Sequence, residues 1–160
     1  MDELYFAYGS NLNLAQMAVL CPQAQLVGKA VLEGYELAFR RGLLTILPTK
    51  DGKVEGVAWK INARDESALD RYEGYPRLYR KELLTVQTEE GQQRVMGYIM
   101  NAPYRDKPQF PTAGYAALVL QGYEKNGISQ EQLMKAAGRT FLEIAGAEQQ
   151  KHRGERRNER

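Results

Sequence analysis

Two β-hairpin patterns occupy the middle of this sequence and limit the folds open to it. The segment "LLTILPTKDGKVEGVAWKIN", residues 43–62, places apolar stretches on both sides of Asp51-Gly52, a dipeptide typical of tight turns. The segment "KELLTVQTEEGQQRVMGYIMN", residues 81–101, repeats the arrangement around Glu90-Gly91. Each pattern predicts two antiparallel strands joined by a turn at the named dipeptide, so we expect a mainly antiparallel sheet.

Further strand and helix patterns surround these hairpins. The chain before them predicts a first strand in "LYFAYG", a short helix in "NLNLAQMAVL" that ends at Cys21-Pro22, and one or two strands in "AVLEGYELAFRR". The pattern of residues 62–72 predicts a helix. Two more helices are predicted near the C-terminus, one in "TAGYAALVLQGYEKNG" and one opened by Ser129 and Gln132 in a capping-box pattern.

These elements predict an α+β fold, because the hairpins and the helices occupy separate parts of the chain. We expect a mixed, mainly antiparallel β-barrel-like sheet with flanking helices. With 160 residues, 43% of them hydrophobic, the chain is long enough for one core and too short for two domains. We therefore expect a single domain over residues 1–146, followed by a charged C-terminal tail over residues 147–160, either flexible or a helix extension.

Charge and composition exclude several kinds of partner. The tail holds five Lys/Arg and three Asp/Glu, which leaves seventeen of each sign in the domain and no basic, aromatic surface for nucleic acid. Apolar runs such as "AALVL" are too short to cross a bilayer, so we expect no membrane contact and a cytoplasmic location. A single cysteine, Cys21, and a single histidine, His152, provide no zinc-ligand set, so no metal site is expected.

The stretch "FAYGSN" is the first candidate site. A strand-forming segment runs directly into Gly9-Ser10-Asn11, residue types that turn a backbone and open a helix. Backbone N–H groups in such a turn can point the same way and bind an anion such as a carboxylate. The alternative is purely structural: Gly9 permits the turn, and Ser10, Asn11 or Asn13 caps the helix that follows.

Glu73, in "LDRYEGYPRLYRKE", is the second candidate. A helix here places Leu69 and Glu73 on one face, so the carboxyl group lies on the side that Leu69 buries. Tyr72, Tyr75 and Tyr79 accompany it, and an aromatic setting with little water raises the pKa of a carboxyl group, which suits it to accept a proton near neutral pH. The alternative is a surface glutamate before a Gly-Tyr-Pro turn.

Together, the two motifs resemble those of the gamma-glutamyl cyclotransferase family, whose fold includes the AIG2-like proteins. "YGSN" follows the first strand, "LDRYEG" comes about sixty residues later, and a tyrosine lies six residues beyond the glutamate. The segment "PTAGYAALVLQGYEKNGISQEQLMKA" is similar to the C-terminal helical segment of that family. The resemblance covers most of residues 4–137.

The resemblance implies a fold, a reaction and a set of site residues. Members of this family are small α/β proteins with a β-barrel-like core, and they cyclise the glutamyl group of a γ-glutamyl amide to 5-oxoproline without a cofactor, releasing the amine. By resemblance, Glu73 is the catalytic acid/base residue, and six residues bind the substrate: Tyr8, Gly9, Ser10, Asn11, Tyr79 and Tyr115.

Several questions stay open at the level of sequence. The amine released could belong to a free amino acid, glutathione, an isopeptide or a biosynthetic intermediate, and we expect selectivity among them to depend on residues 75–79 and 103–111. A non-catalytic module that binds a small ligand in the same pocket is the alternative to an enzyme. A homodimer, formed through an exposed sheet edge, is a further possibility.

Overall fold

A computed structural model describes residues 2–158 of the chain. The elements within this part are β1 (Glu3–Ala7), a 3₁₀ turn (Ser10–Leu12), α1 (Leu14–Leu20), β2 (Gln25–Arg40), β3 (Leu43–Ile61), α2 (Ala63–Glu73), β4 (Tyr79–Thr88), β5 (Gly91–Met100), a second 3₁₀ turn (Tyr104–Asp106), α3 (Ala113–Lys125) and α4 (Glu131–Asn158). The strands close into a barrel in the order β1-β3-β2-β4-β5. Neighbouring strands are antiparallel except β5 and β1, which lie parallel, and the predicted α+β barrel-like fold is confirmed.

The second predicted hairpin is confirmed, with its turn one residue earlier than the predicted Glu90-Gly91. Thr88 at the end of β4 pairs with Gly91 at the start of β5, so Glu89 and Glu90 form the turn. The Thr88 hydroxyl accepts a hydrogen bond from the Glu90 N–H at 3.2 Å and donates one to the Gly91 carbonyl at 2.9 Å.

The first predicted hairpin, two strands joined at Asp51-Gly52, is wrong, because residues 43–61 form one continuous strand, β3. The hairpin that does form pairs β3 with β2. β2 and β3 are joined by the two-residue turn Arg41-Gly42, across which Arg40 pairs with Leu43. Both turn residues have positive φ, 53° and 75°, as a turn that follows the twist of a hairpin requires. An Arg-Gly dipeptide is a weaker turn pattern than Asp-Gly, and for that reason the position was not predicted.

Asp51 and Gly52 lie in a bulge of β3, where residues 49–52 stand opposite Gly34 of β2. Asp51 has a left-handed φ of 64°, and a Cβ added at Gly52 would lie 2.5 Å from the carbonyl oxygen of Tyr35. A bulge and a tight turn thus favour the same residue types. Only the pairing of β2 with β3 along the barrel distinguishes the two.

α2 begins and ends within one residue of its predicted bounds, and both ends are capped. The Asn62 side chain accepts a hydrogen bond from the Asp65 N–H at 2.8 Å, and the Asp65 carboxylate accepts one from the Asn62 N–H at 3.1 Å. Gly74 follows the helix with a left-handed φ of 67°. Glu73 is thereby the last residue of α2. α1 and α3 also lie where they were predicted.

The capping box predicted for Ser129 and Gln132 is wrong. The Ser129 hydroxyl does accept a hydrogen bond from the Glu131 N–H at 3.2 Å. The Gln132 amide, however, bonds to both the N–H and the carbonyl of Glu55, each at 2.8 Å, and to the Tyr123 hydroxyl at 2.6 Å. Gln132 therefore links α4 to the barrel and to α3.

α4 continues to Asn158, so most of the segment predicted as a tail extends this helix. Residues 159 and 160 of that segment lie outside the described residues, and the domain boundary at residue 146 stays a prediction. Over residues 2–158, none of the helices has the length and apolar content needed to span a membrane.

α3 fixes the loop that follows β1. A Cβ added at Gly122 would lie 2.6 Å from the backbone carbonyl carbon of Leu12, so α3 packs directly on the first 3₁₀ turn. The hydroxyl of the fully buried Tyr123 donates to the Tyr8 carbonyl at 3.1 Å, and Asn126 Nδ2 donates to the Leu12 carbonyl at 2.8 Å. These contacts hold the loop at one end of the barrel.

Candidate active site

A cavity of about 210 Å³ lies at the end of the barrel where β1 ends and where β3 and β4 begin. The loop after β1, the end of α2 and the first turn of α3 complete its walls. The structure brings together all seven residues predicted for the site as lining residues of this cavity: Tyr8, Gly9, Ser10, Asn11, Glu73, Tyr79 and Tyr115.

Asn13 is the residue that caps α1. Its side-chain oxygen accepts a hydrogen bond from the Gln16 N–H at 3.0 Å, and its Nδ2 donates to the Leu118 carbonyl at 3.1 Å and to Gln121 Oε1 at 2.9 Å. Ser10 and Asn11 are therefore not needed as caps, and their side chains are free to face the cavity.

Asn11 lies at the centre of a hydrogen-bond network below the cavity. Its Nδ2 donates to the Tyr5 hydroxyl at 2.9 Å and approaches Glu73 Oε1 at 3.4 Å. Its Oδ1 accepts from Gln16 Nε2 at 2.8 Å, and its backbone carbonyl accepts from Trp59 Nε1 at 3.2 Å. These bonds fix the orientation of the amide, with its NH₂ group toward the carboxyl group of Glu73.

Ser10 and Tyr72 close one side of the cavity. The Ser10 Oγ and the Tyr72 hydroxyl are 2.9 Å apart, and Gln16 Nε2 donates to the same hydroxyl at 3.0 Å. Gln16 thus connects Ser10, through Tyr72, with Asn11. The loop after β1 and the end of α2 are thus joined by side-chain hydrogen bonds as well as by packing.

The carboxyl group of Glu73 is enclosed by protein. The residue as a whole is only half-buried, but Leu69 one turn earlier is fully buried, and the carboxyl group lines the cavity 3.4 Å from the buried Asn11 Nδ2. Burial raises the pKa of Glu73 from 4.5 to about 8. The cavity lining, within residues 2–158, contains no other carboxyl group and no Lys or Arg, so Glu73 alone can carry charge there near neutral pH.

Tyr79 and Tyr115 hold the start of β3. The Tyr79 hydroxyl donates to the Leu44 carbonyl at 2.7 Å, and the Leu44 N–H donates to the Tyr115 hydroxyl at 3.1 Å. Burial raises the pKa of both phenol groups above the ordinary value of tyrosine, so both groups stay protonated near neutral pH. A Cβ added at Gly9 would lie 3.3 Å from the Tyr115 hydroxyl and 3.4 Å from Leu44 Cβ, which leaves little room for any larger residue.

Several residues of the site were not predicted as such. Tyr75, which was expected beside Glu73, lies under Lys81 instead, with the ammonium group 4.2 Å from its ring centroid. Residues that contribute to the site without a pattern to identify them are Tyr5, Gln16, Leu43, Leu44, Leu78 and Tyr98. They lie on strands, on α1 or in the loop before β4, and they come together at the cavity only in the folded barrel.

The fold and the cavity together define a class: small α+β proteins with a closed five-stranded barrel and one enclosed carboxyl group at its end. Residues 5–117 match the model of the family described as "Gamma-glutamyl cyclotransferase, AIG2-like". The chain belongs to this family, and it is an enzyme of the gamma-glutamyl cyclotransferase type.

Individual relatives agree with this assignment. The chain is 31% identical over 140 residues to the gamma-glutamylcyclotransferase of Bos taurus, and 29% identical over 140 residues to that of Homo sapiens; each match covers 80% of this chain and 73% of the relative. A solved structure of a gamma-glutamyl cyclotransferase superposes with a TM-score of 0.72 at 26% identity, covering 86% of this chain and 87% of the other.

Proposed function

We propose that this enzyme cleaves γ-glutamyl amides, cyclising the glutamyl group to 5-oxoproline and releasing the amine. The observation that carries the proposal is the enclosed Glu73 carboxyl group, with its pKa of about 8, in a lining that has no second charged group over the described residues. A γ-glutamyl group brings an α-ammonium, which such a carboxylate can pair with in a site of low water content. The family of the chain and the names of its relatives support the same reaction.

Glu73 acts first as a general base and then as a general acid. The substrate ammonium stabilises the ionised carboxylate, which takes one proton and frees the amine to attack the γ-carbonyl carbon. A new C–N bond closes the five-membered ring. The amide C–N bond breaks as Glu73 delivers a proton to the departing nitrogen. In total, two protons pass from the α-nitrogen to the leaving nitrogen, so the reaction consumes no water and no proton.

The loop from Tyr8 to Asn11 holds the glutamyl group. The first backbone hydrogen bond of its 3₁₀ turn runs from the Leu12 N–H to the Gly9 carbonyl at 3.1 Å. The N–H groups of Ser10 and Asn11 precede this bond and are not used by the turn itself. These groups bind either the α-carboxylate or the negative charge that develops on the γ-carbonyl oxygen. Holding the glutamyl chain bent brings the amine and the carbonyl carbon together, which lowers the barrier to ring closure.

The test is a product assay on the purified protein with a panel of γ-glutamyl compounds, in which 5-oxoproline is followed by mass spectrometry. We expect product from the wild-type protein and about 10²- to 10⁴-fold slower turnover by Glu73→Gln, the usual effect of removing a general base. Glu90→Gln, in the exposed turn between β4 and β5, is the matched control and should keep full activity.

Two results would contradict the proposal. Full activity of Glu73→Gln would exclude Glu73 as the acid/base residue. Binding of γ-glutamyl compounds by calorimetry, without product from any of them, would favour the non-catalytic ligand-binding module instead.

A further inference from the structure

Two arginine side chains meet on one tyrosine ring near the cavity. Tyr104 belongs to the second 3₁₀ turn, and the guanidinium carbon of Arg41 lies 4.7 Å from its ring centroid. The guanidinium carbon of Arg77 lies 5.9 Å from the same centroid, and Arg77 Nε donates a hydrogen bond to the Tyr104 hydroxyl at 2.9 Å. Three separate segments of the chain thus converge on one exposed cationic cluster.

The cluster lacks a carboxylate partner among the described residues. Other arginines of the protein are paired: Arg40 with Glu143 at 2.7 Å, and Arg80 with Glu82 at 2.8 Å. Over residues 2–158, no Asp or Glu oxygen lies within 4.0 Å of the Arg41 or Arg77 guanidinium groups. Planar guanidinium groups hydrogen-bond carboxylates with two parallel bonds, so a pair without a partner suits an anionic ligand.

The backbone that carries the cluster is fixed and adjoins the cavity. Leu78 and Leu43 both line the cavity; Arg77 directly precedes Leu78, and Arg41 lies two residues before Leu43. Asn101 Nδ2, at the end of β5, donates to the carbonyl of Arg77 at 3.0 Å. The Arg41 N–H donates to the Lys107 carbonyl at 2.8 Å. The cluster is therefore part of the same end of the barrel as Glu73.

We propose that Arg41 and Arg77, held by Tyr104, form the subsite for a carboxylate on the leaving amine. The inference rests on the proposed function: the glutamyl end occupies the cavity with Glu73, and the departing amine points to the rim. These arginines determine specificity; they do not take part in bond making or breaking. They favour γ-glutamyl amino acids or peptides with a free carboxylate near the scissile amide over γ-glutamyl amines that have none.

Two substrates that differ only in charge test the subsite. The measurement is kcat/KM for γ-glutamyl-alanine and for γ-glutamyl-alaninamide, with the wild-type protein and with Arg41→Gln/Arg77→Gln. We expect the double variant to lose about 10- to 100-fold in kcat/KM on γ-glutamyl-alanine, the effect of losing hydrogen bonds to a charged group, and to stay within about twofold on the amide. Arg105→Gln, in the same 3₁₀ turn but 3.7 Å from Asp106, is the matched control and should change neither.

The outcomes separate this inference from the proposed function. Equal losses on both substrates, or no loss on either, would overturn the subsite while product formation still supported the cyclotransferase reaction. If the wild-type protein turns over neither of these substrates nor any other γ-glutamyl compound of the panel, the proposed function fails. Calorimetric titration of γ-glutamyl-alanine then decides the subsite, because equal affinity for the wild-type protein and the double variant would overturn it.

Discussion

The buried carboxyl group of Glu73 should make the protein less stable as the pH rises, and replacing it should remove that dependence. In the folded protein the pKa of Glu73 is about 8, against an ordinary value of 4.5. The unfolded chain therefore loses this proton at lower pH than the folded protein does. Between pH 4.5 and about pH 8 the folded state binds more protons than the unfolded chain, so the free energy of unfolding falls as the pH rises.

The size of the effect follows from the two pKa values. Each tenfold change in proton affinity corresponds to about 1.36 kcal/mol, so the full penalty above pH 8 is about 5 kcal/mol. Between about pH 5 and pH 8 the free energy of unfolding of the wild-type protein should fall by about 3 to 4 kcal/mol relative to Glu73→Gln. That is a large fraction of the roughly 5–15 kcal/mol that stabilises a typical domain.

Urea denaturation of both proteins at several pH values in this range measures the difference. Glu73→Gln should be the more stable protein near pH 8, although we expect it to be the less active one, and the two should converge toward pH 4.5. Glu90→Gln should follow the wild-type pH dependence, because that side chain lies in an exposed turn. A difference between wild type and Glu73→Gln that does not vary with pH would show that the carboxyl group is not desolvated, and the argument for its raised pKa would fail.

Three further predictions concern the same end of the barrel. The kcat/KM of the enzyme should rise with pH until about 8, since the free enzyme must hold Glu73 ionised; a flat profile from pH 6 to 8 would count against a general base. Gly122→Ala should destabilise the protein by about 1–3 kcal/mol in thermal unfolding, because the new Cβ would meet the Leu12 backbone; unchanged stability would mean that α3 is not packed on the loop. Gln16→Leu should lower kcat by roughly tenfold at little change in stability, through loss of the bond that orients Asn11; an unchanged kcat would dismiss that role.

The ends of helices could be predicted from the sequence because capping residues interact with residues only a few positions away along the chain. Asn62 and Gly74 delimit α2, so the placement of Glu73 at a helix end could be predicted from adjacent residues. The same local logic failed at Asp51-Gly52, because a bulge and a turn require similar backbone angles. It failed again at Gln132, whose amide finds partners 77 and 9 residues away along the chain.

The family, the α+β class and the seven residues of the candidate site could be predicted from the sequence, because those residues lie in short segments that resemble the family. How these segments act on one another depends on the tertiary structure. The pKa of Glu73 depends on burial, and the orientation of Asn11 depends on Gln16 and Trp59. Burial and hydrogen bonding at this site come from strands and helices far apart in sequence, which meet only when the barrel closes and α3 packs over the loop after β1.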